Sequence, residues 1–296
     1  MMLAHVSDPH VGPVGNVGEA AVHGARGLTL KQRLALSNWH RRRRHLLRAE
    51  IAAATAADIV AAAPDHIAVT GDLANAGLPA EFDGAAAWLE ALDPGFRNAE
   101  TAKLSIIPGN HDAMARGTWE VGAARLGLEK QSYPWCRRLG PIALIGLSSA
   151  VPTLPLLATG RLGAEQIDTA AKLLATAGAE GLCRVVLVHH PPGETTLWRR
   201  ALTDRKAFCR MLSEVGAELV LYGHNHRSEE TRIGAAQILA LGAPSASAAP
   251  GPRLEPAGWF GIEISGKPGV WEANVTLRRL SQGGRFETAW TRTHSL

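Results

Sequence analysis

The sequence is poor in cysteine, poor in aromatic residues and free of long uncharged apolar runs. Its three cysteines, Cys136, Cys183 and Cys209, are odd in number and far apart. They exclude a disulfide framework, suit a reducing compartment and read as buried thiols. No stretch approaches the roughly 18 to 20 apolar residues of a membrane-spanning helix, and the Ala-rich run 51–63 carries Asp58. Ahead of Asp8 there is no basic region, apolar region or cleavage site, so a cytoplasmic location is expected rather than secretion by a signal peptide. The absence of paired cysteines also argues against a closed structural zinc site.

What is present is 296 residues with 46% hydrophobic content, enough to bury the core of one large domain. Lys and Arg number 31 against 27 Asp and Glu, a net charge of +4 that mildly favours anionic partners. Short aliphatic runs at 3–7, 66–70, 104–107, 142–147, 184–188 and 218–221 alternate with amphipathic, Ala- and Leu-rich stretches at 49–62, 80–92, 164–177 and 205–215. This is an α/β pattern, with helices covering sheet faces. After residue 230 the helical signal stops. Runs at 236–241, 259–264, 271–280 and 286–291 then read as strands, so 231–296 is expected to be the strand-rich part of a second sheet. No internal repeat is seen, and 1–296 reads as one domain. The interval 11–48, Gly-rich and then a basic helix, reads as an insertion near the active site.

Five clusters fall where a predicted strand ends: Ser7-Asp8-Pro9-His10, Gly71-Asp72-Leu73, Gly109-Asn110-His111-Asp112, His189-His190-Pro191-Pro192 and Gly223-His224-Asn225-His226. Strand ends are where open α/β sheets place ligand-binding groups. Each cluster alone is accounted for by turn chemistry. Together they deliver carboxylates, imidazoles and an amide to one sheet edge, a mixed oxygen and nitrogen set suited to an open catalytic metal site.

In this order the clusters resemble the calcineurin-like metallophosphoesterases, with motif residues spread from position 8 to position 226. The pattern is most similar to the branch that includes bacterial cyclic-nucleotide phosphodiesterases. The resemblance implies a four-layer αββα sandwich of two mixed sheets flanked by helices, and two divalent metals. It implies Asp8, His10 and His226 on the first metal, Asp72 bridging, and Asn110, His189 and His224 on the second. His189 is preferred to His190 because it comes directly at the strand end. One carboxylate shared by two dications offsets their repulsion, and water held between the metals becomes hydroxide near neutral pH. His111 is then placed over the substrate, where an imidazolium could protonate the departing oxygen, with Asp112 orienting it. Manganese or iron is expected from the resemblance, and zinc or cobalt suits the same donors.

The remaining feature is Leu28 to Arg48, with Trp39 and the run Arg41, Arg42, Arg43, Arg44. One reading is a surface helix whose Arg stems cover apolar neighbours. Others are an arginine clamp on phosphate, or peripheral contact with an anionic membrane through Trp39. The pocket walls are expected from 11–48 and 151–161. A nucleotide-type or other phosphodiester is the favoured substrate. One alternative is membrane-surface pyrophosphohydrolysis of a nucleotide-linked lipid such as UDP-diacylglucosamine, although the well-known branch of those enzymes has Arg where this chain has His111. A catalytically weak metal-binding scaffold is the other. No groove-reading motif is present, so specific nucleic-acid binding is not expected.

Overall fold

The computed structural model describes residues 1–12, 27–98, 101–194 and 197–296. The expected Gly-rich loop at 11–27 therefore falls mostly outside the described residues. In chain order the elements are β1 (Met2–Val6), α1 (Leu30–Asn38), a π turn (Trp39–Arg43), α2 (Arg44–Leu46), α3 (Ala49–Ala61), β2 (His66–Val69), α4 (Pro79–Leu92), β3 (Leu104–Ile106) and α5 (Thr118–Leu126). There follow β4 (Trp135–Leu139), β5 (Ile142–Gly146), α6 (Ala164–Ala179), β6 (Cys183–Leu187), a short 3-10 turn (Trp198–Arg200), α7 (Arg205–Val215) and β7 (Leu219–Tyr222). The chain ends in β8 (Glu229–Ile233), β9 (Ile238–Gly242), β10 (Gly258–Lys267), β11 (Val270–Leu280) and β12 (Phe286–Ser295).

Two six-stranded mixed sheets result, in the orders β12-β11-β10-β1-β2-β3 and β4-β5-β6-β7-β9-β8. The continuous apolar runs β5, β7 and β9 are buried along their whole length, as strands covered on both faces must be. Between the sheets lies one core that includes Leu3, Ile142, Leu144, Leu187, Leu221, Leu241, Phe260 and Ile262. Ile59, Phe82, Trp88 and Leu89 cover the outer face of the first sheet, and Ile167, Leu174, Phe208 and Leu212 that of the second. The architecture is the expected four-layer αββα sandwich. Each fully buried aliphatic side chain contributes about 1.5–3 kcal/mol, so the layers are held chiefly by apolar burial.

The assignment of 231–296 to the second sheet needs correction. Only β9, with the adjoining β8, joins it, whereas β10 pairs antiparallel with β1 and carries β11 and β12 onto the first sheet. β11 alternates buried and exposed residues, the pattern of a sheet covered on one side. Cys136 is also corrected. It is exposed, because the edge strand β4 turns it outward, while Cys183 is buried and Cys209 half-buried. All three are free thiols. No helix among the described residues is long and apolar enough to cross a membrane.

The basic segment is pinned at both ends. Thr29 and Gln32 form a capping box at the start of α1, and Gln32 Nε2 donates to the Ala76 carbonyl at 3.2 Å. At the far end Leu47 bridges to Ala248, Ala249 N–H donates to Leu46 O at 2.7 Å and Arg48 N–H to Ser247 O at 2.9 Å. Between these anchors the helix widens into the π turn, where Arg44 N–H reaches back to Trp39 O. The Trp39 ring packs on the Gly12 backbone and is half-buried rather than projecting outward.

Candidate active site

The C-terminal ends of β1, β2 and β3 from one sheet and of β6 and β7 from the other meet at one edge, each continued by one of the five clusters. The loops are tied to one another through the backbone. Asp8 N–H donates to Gly71 O and His10 N–H to Asp72 O, both at 3.0 Å, and His224 N–H donates to the Asp8 carboxylate at 2.9 Å. Two motif glycines follow from this crowding. A Cβ on Gly109 would lie 2.2 Å from Asp72 Oδ1, and one on Gly223 would lie 2.5 Å from Asp8 Oδ2.

Five of the seven residues expected to hold metal have left-handed backbone: Asp8 (φ 53°), His10 (42°), Asp72 (54°), His224 (71°) and His226 (54°). Among the described residues only Ala63, Leu156 and Gln237 are other non-glycine cases. Each such residue costs of order 1 kcal/mol, a strain that persists where the surrounding structure enforces it and concentrates at functional sites.

Potential ligand atoms of Asp8, His10, Asp72 and His226 lie within 4.8 Å of one another, as do those of Asp72, His189 and His224. Asp72 belongs to both groups. Its Oδ2 is 3.7 Å from His10 Nε2 and its Oδ1 is 3.5 Å from His189 Nε2. Asn110 Oδ1 is 3.3 Å from the same His189 nitrogen. Six of the seven are buried and His226 is half-buried.

These residues fit divalent cations by a proton count. His10 Nδ1–H donates to Ala74 O at 3.1 Å, and burial lowers this ring to about 4, so it is neutral and turns a lone pair inward at Nε2. His189 Nδ1–H donates to Thr70 O at 2.6 Å, but the charge of Asp72 outweighs burial and raises this ring to about 9. The His10 lone pair faces the Asp8 and Asp72 carboxylates at 3.6 and 3.7 Å and the Nε2 of His226 at 2.9 Å, while His189 meets Asp72 at 3.5 Å with a proton that a bound cation would replace. Asp8 Oδ1 and His224 Nε2 are buried without a hydrogen-bond partner among the described residues. Acceptors converging on acceptors call for positive charge between them. Burial opposes ionisation of Asp8 and Asp72, but the surrounding imidazoles, His226 foremost for Asp8 and His189 for Asp72, hold both carboxyls well below their usual range.

Two neighbours depart from expectation. Asp112 does not touch the His111 ring. Its two oxygens accept from Ala74 N–H and Gly109 N–H, both at 2.8 Å, so it fixes the loops after β2 and β3, and burial with the charge of Asp72 raises it to about 7. His111 is oriented by a backbone group instead, its Nδ1–H donating to Asn75 O at 2.5 Å. Burial, helped by Arg43 and His10, holds His111 well below the ordinary imidazole range, so the ring is neutral rather than an imidazolium. His190, whose role the sequence leaves open, bonds Ser149 Oγ through Nδ1 at 2.7 Å with its ring 4.6 Å from that of His224, and burial lowers it to about 3.

Of the four-arginine run only Arg43 enters the site. Its guanidinium donates to His111 Nε2 at 3.1 Å and to His10 Nε2 at 3.0 Å, and burial brings it down to about 10. Arg41, Arg42 and Arg44 are exposed, Arg42 reaching the rim. The cavity over the cluster, about 360 Å³, has Arg43, Asn38 and Leu47 on one wall, and Ala158, Arg200, Arg253 and Leu254 complete it. Arg200 and Arg253 are absent from the motif reading. Trp198-Arg199-Arg200 repeats the Trp-then-Arg pattern found after Trp39, the one signal that could have revealed the first; Arg253 stands in a loop without a pattern.

A model of the calcineurin-like phosphoesterase family matches residues 1–228. The chain belongs to that family. It is therefore a dimetal phosphoesterase, a metal-dependent phosphoric ester hydrolase. A relative named a probable cyclic nucleotide phosphodiesterase, from Synechococcus, is 28% identical over 76% of this chain and 81% of its own length. A cAMP/cGMP dual specificity phosphodiesterase of Mycobacterium tuberculosis is 31% identical over 56% of this chain, which spans about half of it, 49%. Among solved structures, a dimetal phosphatase from Danio rerio matches 97% of this chain and 98% of its own at a TM-score of 0.60 and 11% identity. A purple acid phosphatase from yellow lupin matches 100% of this chain and 53% of its own at 0.64 and 14%. At these identities the likeness concerns the calcineurin-like phosphoesterase fold.

Proposed function

We propose that this phosphoesterase hydrolyses phosphodiesters, with Asp8, His10 and His226 on one metal, Asn110, His189 and His224 on the other, and Asp72 shared. The observation that carries this reading is the position of Asp72, whose two oxygens face the two halves of the cluster at 3.5 and 3.7 Å. Two bound dications would supply Lewis-acid neutralisation of the phosphoryl charge and an activated water. The chain's own residues would do the rest. Arg43 lies within reach of a phosphoryl oxygen held above His10 and His111, and its charge is fixed where that of His111 is not. An anion drawn against His111 Nε2 raises the proton affinity of the ring, which can then hold the proton that the departing oxygen needs.

The names of the relatives support a diester over a monoester, and the choice among diesters stays with the pocket walls. The test is turnover of bis(p-nitrophenyl) phosphate and p-nitrophenyl phosphate with added manganese, iron, zinc or cobalt, with metal content measured in parallel. Two metals per chain and a preference for the diester are expected. A fully loaded protein inert towards both esters would sink the proposal.

A further inference from the structure

Beside the metal-site cavity lies a second cleft of about 550 Å³, sharing with it Asn38, Asn110, His111, Ala158 and Arg200. Its remaining walls are mainly aliphatic, with Leu34, Ala35, Met114, Leu156, Leu157 and Leu197 among them. Among the described residues no carboxylate lines it, and Lys31, Arg199 and Arg200 fringe it. It is thus an apolar extension of a cationic site.

The apolar surface does not stop at the wall. Leu30, Leu34, Leu154, Leu156, Leu197 and Trp198 are six of the nine large apolar side chains exposed among the described residues; Leu34, Leu156 and Leu197 line the cleft, and Leu30, Leu154 and Trp198 stand within two residues of its lining in the sequence. Scattered exposed leucines need no explanation, but a gathering at one mouth marks a contact surface. Leu156 adds a second, independent sign. It is 80% exposed and has left-handed backbone at φ 69°, so neither packing nor backbone geometry favours leucine there. Glycine or asparagine would fit without penalty. A side chain that is both strained and exposed beside a reaction centre points to an apolar partner.

Resting on the phosphodiesterase reading, we propose that this cleft binds the long aliphatic chain of an amphiphilic phosphodiester whose phosphate lies on the metal cluster. The nucleobase of a cyclic nucleotide is the competing occupant. A base could fill the inner cleft against Leu34 and Leu157, yet it would leave Leu154, Leu156 and Trp198 facing water. A chain running outward from the shared wall at Ala158 covers them. The fringe of Lys31, Arg199 and Arg200 suits the anionic end of such a molecule and disfavours a cationic one.

The experiment compares p-nitrophenyl methyl phosphate with p-nitrophenyl octyl phosphate, below the micellar concentration of the latter, on the manganese-loaded enzyme, with cyclic AMP in parallel. KM for the octyl ester is expected at least roughly tenfold below that for the methyl ester, well short of what full burial of the added methylenes would give. Leu156→Gly and Leu34→Asp should bring the ratio of the two KM values towards one. Leu156→Gly should do so without lowering the thermal midpoint, because it removes a strained and largely exposed residue. Equal KM values in the wild-type enzyme, an unchanged ratio in both variants, or a kcat/KM for cyclic AMP above that for the octyl ester would overturn the assignment. Calorimetric titration with octylphosphonate and methylphosphonate separates this proposal from the one it rests on, since it needs no turnover. Tighter octylphosphonate binding by a protein that hydrolyses neither ester supports the cleft and defeats only the hydrolytic reading.

Discussion

The floor and the mouth of the cavity are built on different principles. The floor takes every residue from the loop after a strand, and its loops are cross-tied by backbone hydrogen bonds and forced into left-handed conformations at five positions. The mouth takes its residues from the end of α1, a π turn, the short α2, a 3-10 turn and irregular loops, held by their ends and not by a sheet. Rigid strand ends fix where charge must be held, and loops fix what else the site tolerates. Chemistry should therefore fail abruptly when the floor is altered, and selectivity should change by degrees when the mouth is.

The largest effect is expected from Asp72→Ala, which removes a carboxylate from both halves of the cluster at once. Metal content should fall from two per chain to below one, with no turnover above background; two retained metals would break the assignment of Asp72 as the shared ligand. Gly109→Ala sharpens the same point without touching a ligand. Its Cβ would lie 2.2 Å from Asp72 Oδ1, so metal content should fall here too, although no donor atom is lost. His111→Ala separates floor from mouth. Metal content should stay at two while kcat falls roughly 10² to 10⁴-fold, the usual worth of a positioned acid or base. Lost metal would move His111 among the ligands.

How much of this was legible follows the same division. The seven clustered residues could be read because strand-end motifs are local in sequence and glycine marks the close approaches. Edge strands could not. β4 and β8, Trp-Cys-Arg-Arg-Leu and Glu-Glu-Thr-Arg-Ile, carry charge on their open faces and lack a buried run, and α5 is short with Gly122 inside it. The pairing of β10 with β1 spans some 250 residues of chain, and no local pattern encodes it. The orienting partners of His10, His111 and His189 are the carbonyls of Ala74, Asn75 and Thr70, and backbone groups have no sequence signature. Choosing Arg43 among four arginines was equally out of reach, because the π turn shifts the helical phase within the run.

That choice supplies the finest test. Arg43→Ala should lower kcat/KM roughly 10 to 10²-fold, about 1.4–2.7 kcal/mol of transition-state stabilisation, with metal content intact. Arg41→Ala and Arg44→Ala should stay within about twofold, since both side chains are exposed and neither lines the cavity. Their only route to the reaction is through the field of the run, which salt screens over about 8 Å at physiological ionic strength. Measuring all three variants at low and high salt decides between contact and field. If Arg41 or Arg44 proves as costly as Arg43 and the loss vanishes in salt, the mouth attracts substrate by charge alone, and the distinction between one buried guanidinium and its exposed neighbours collapses.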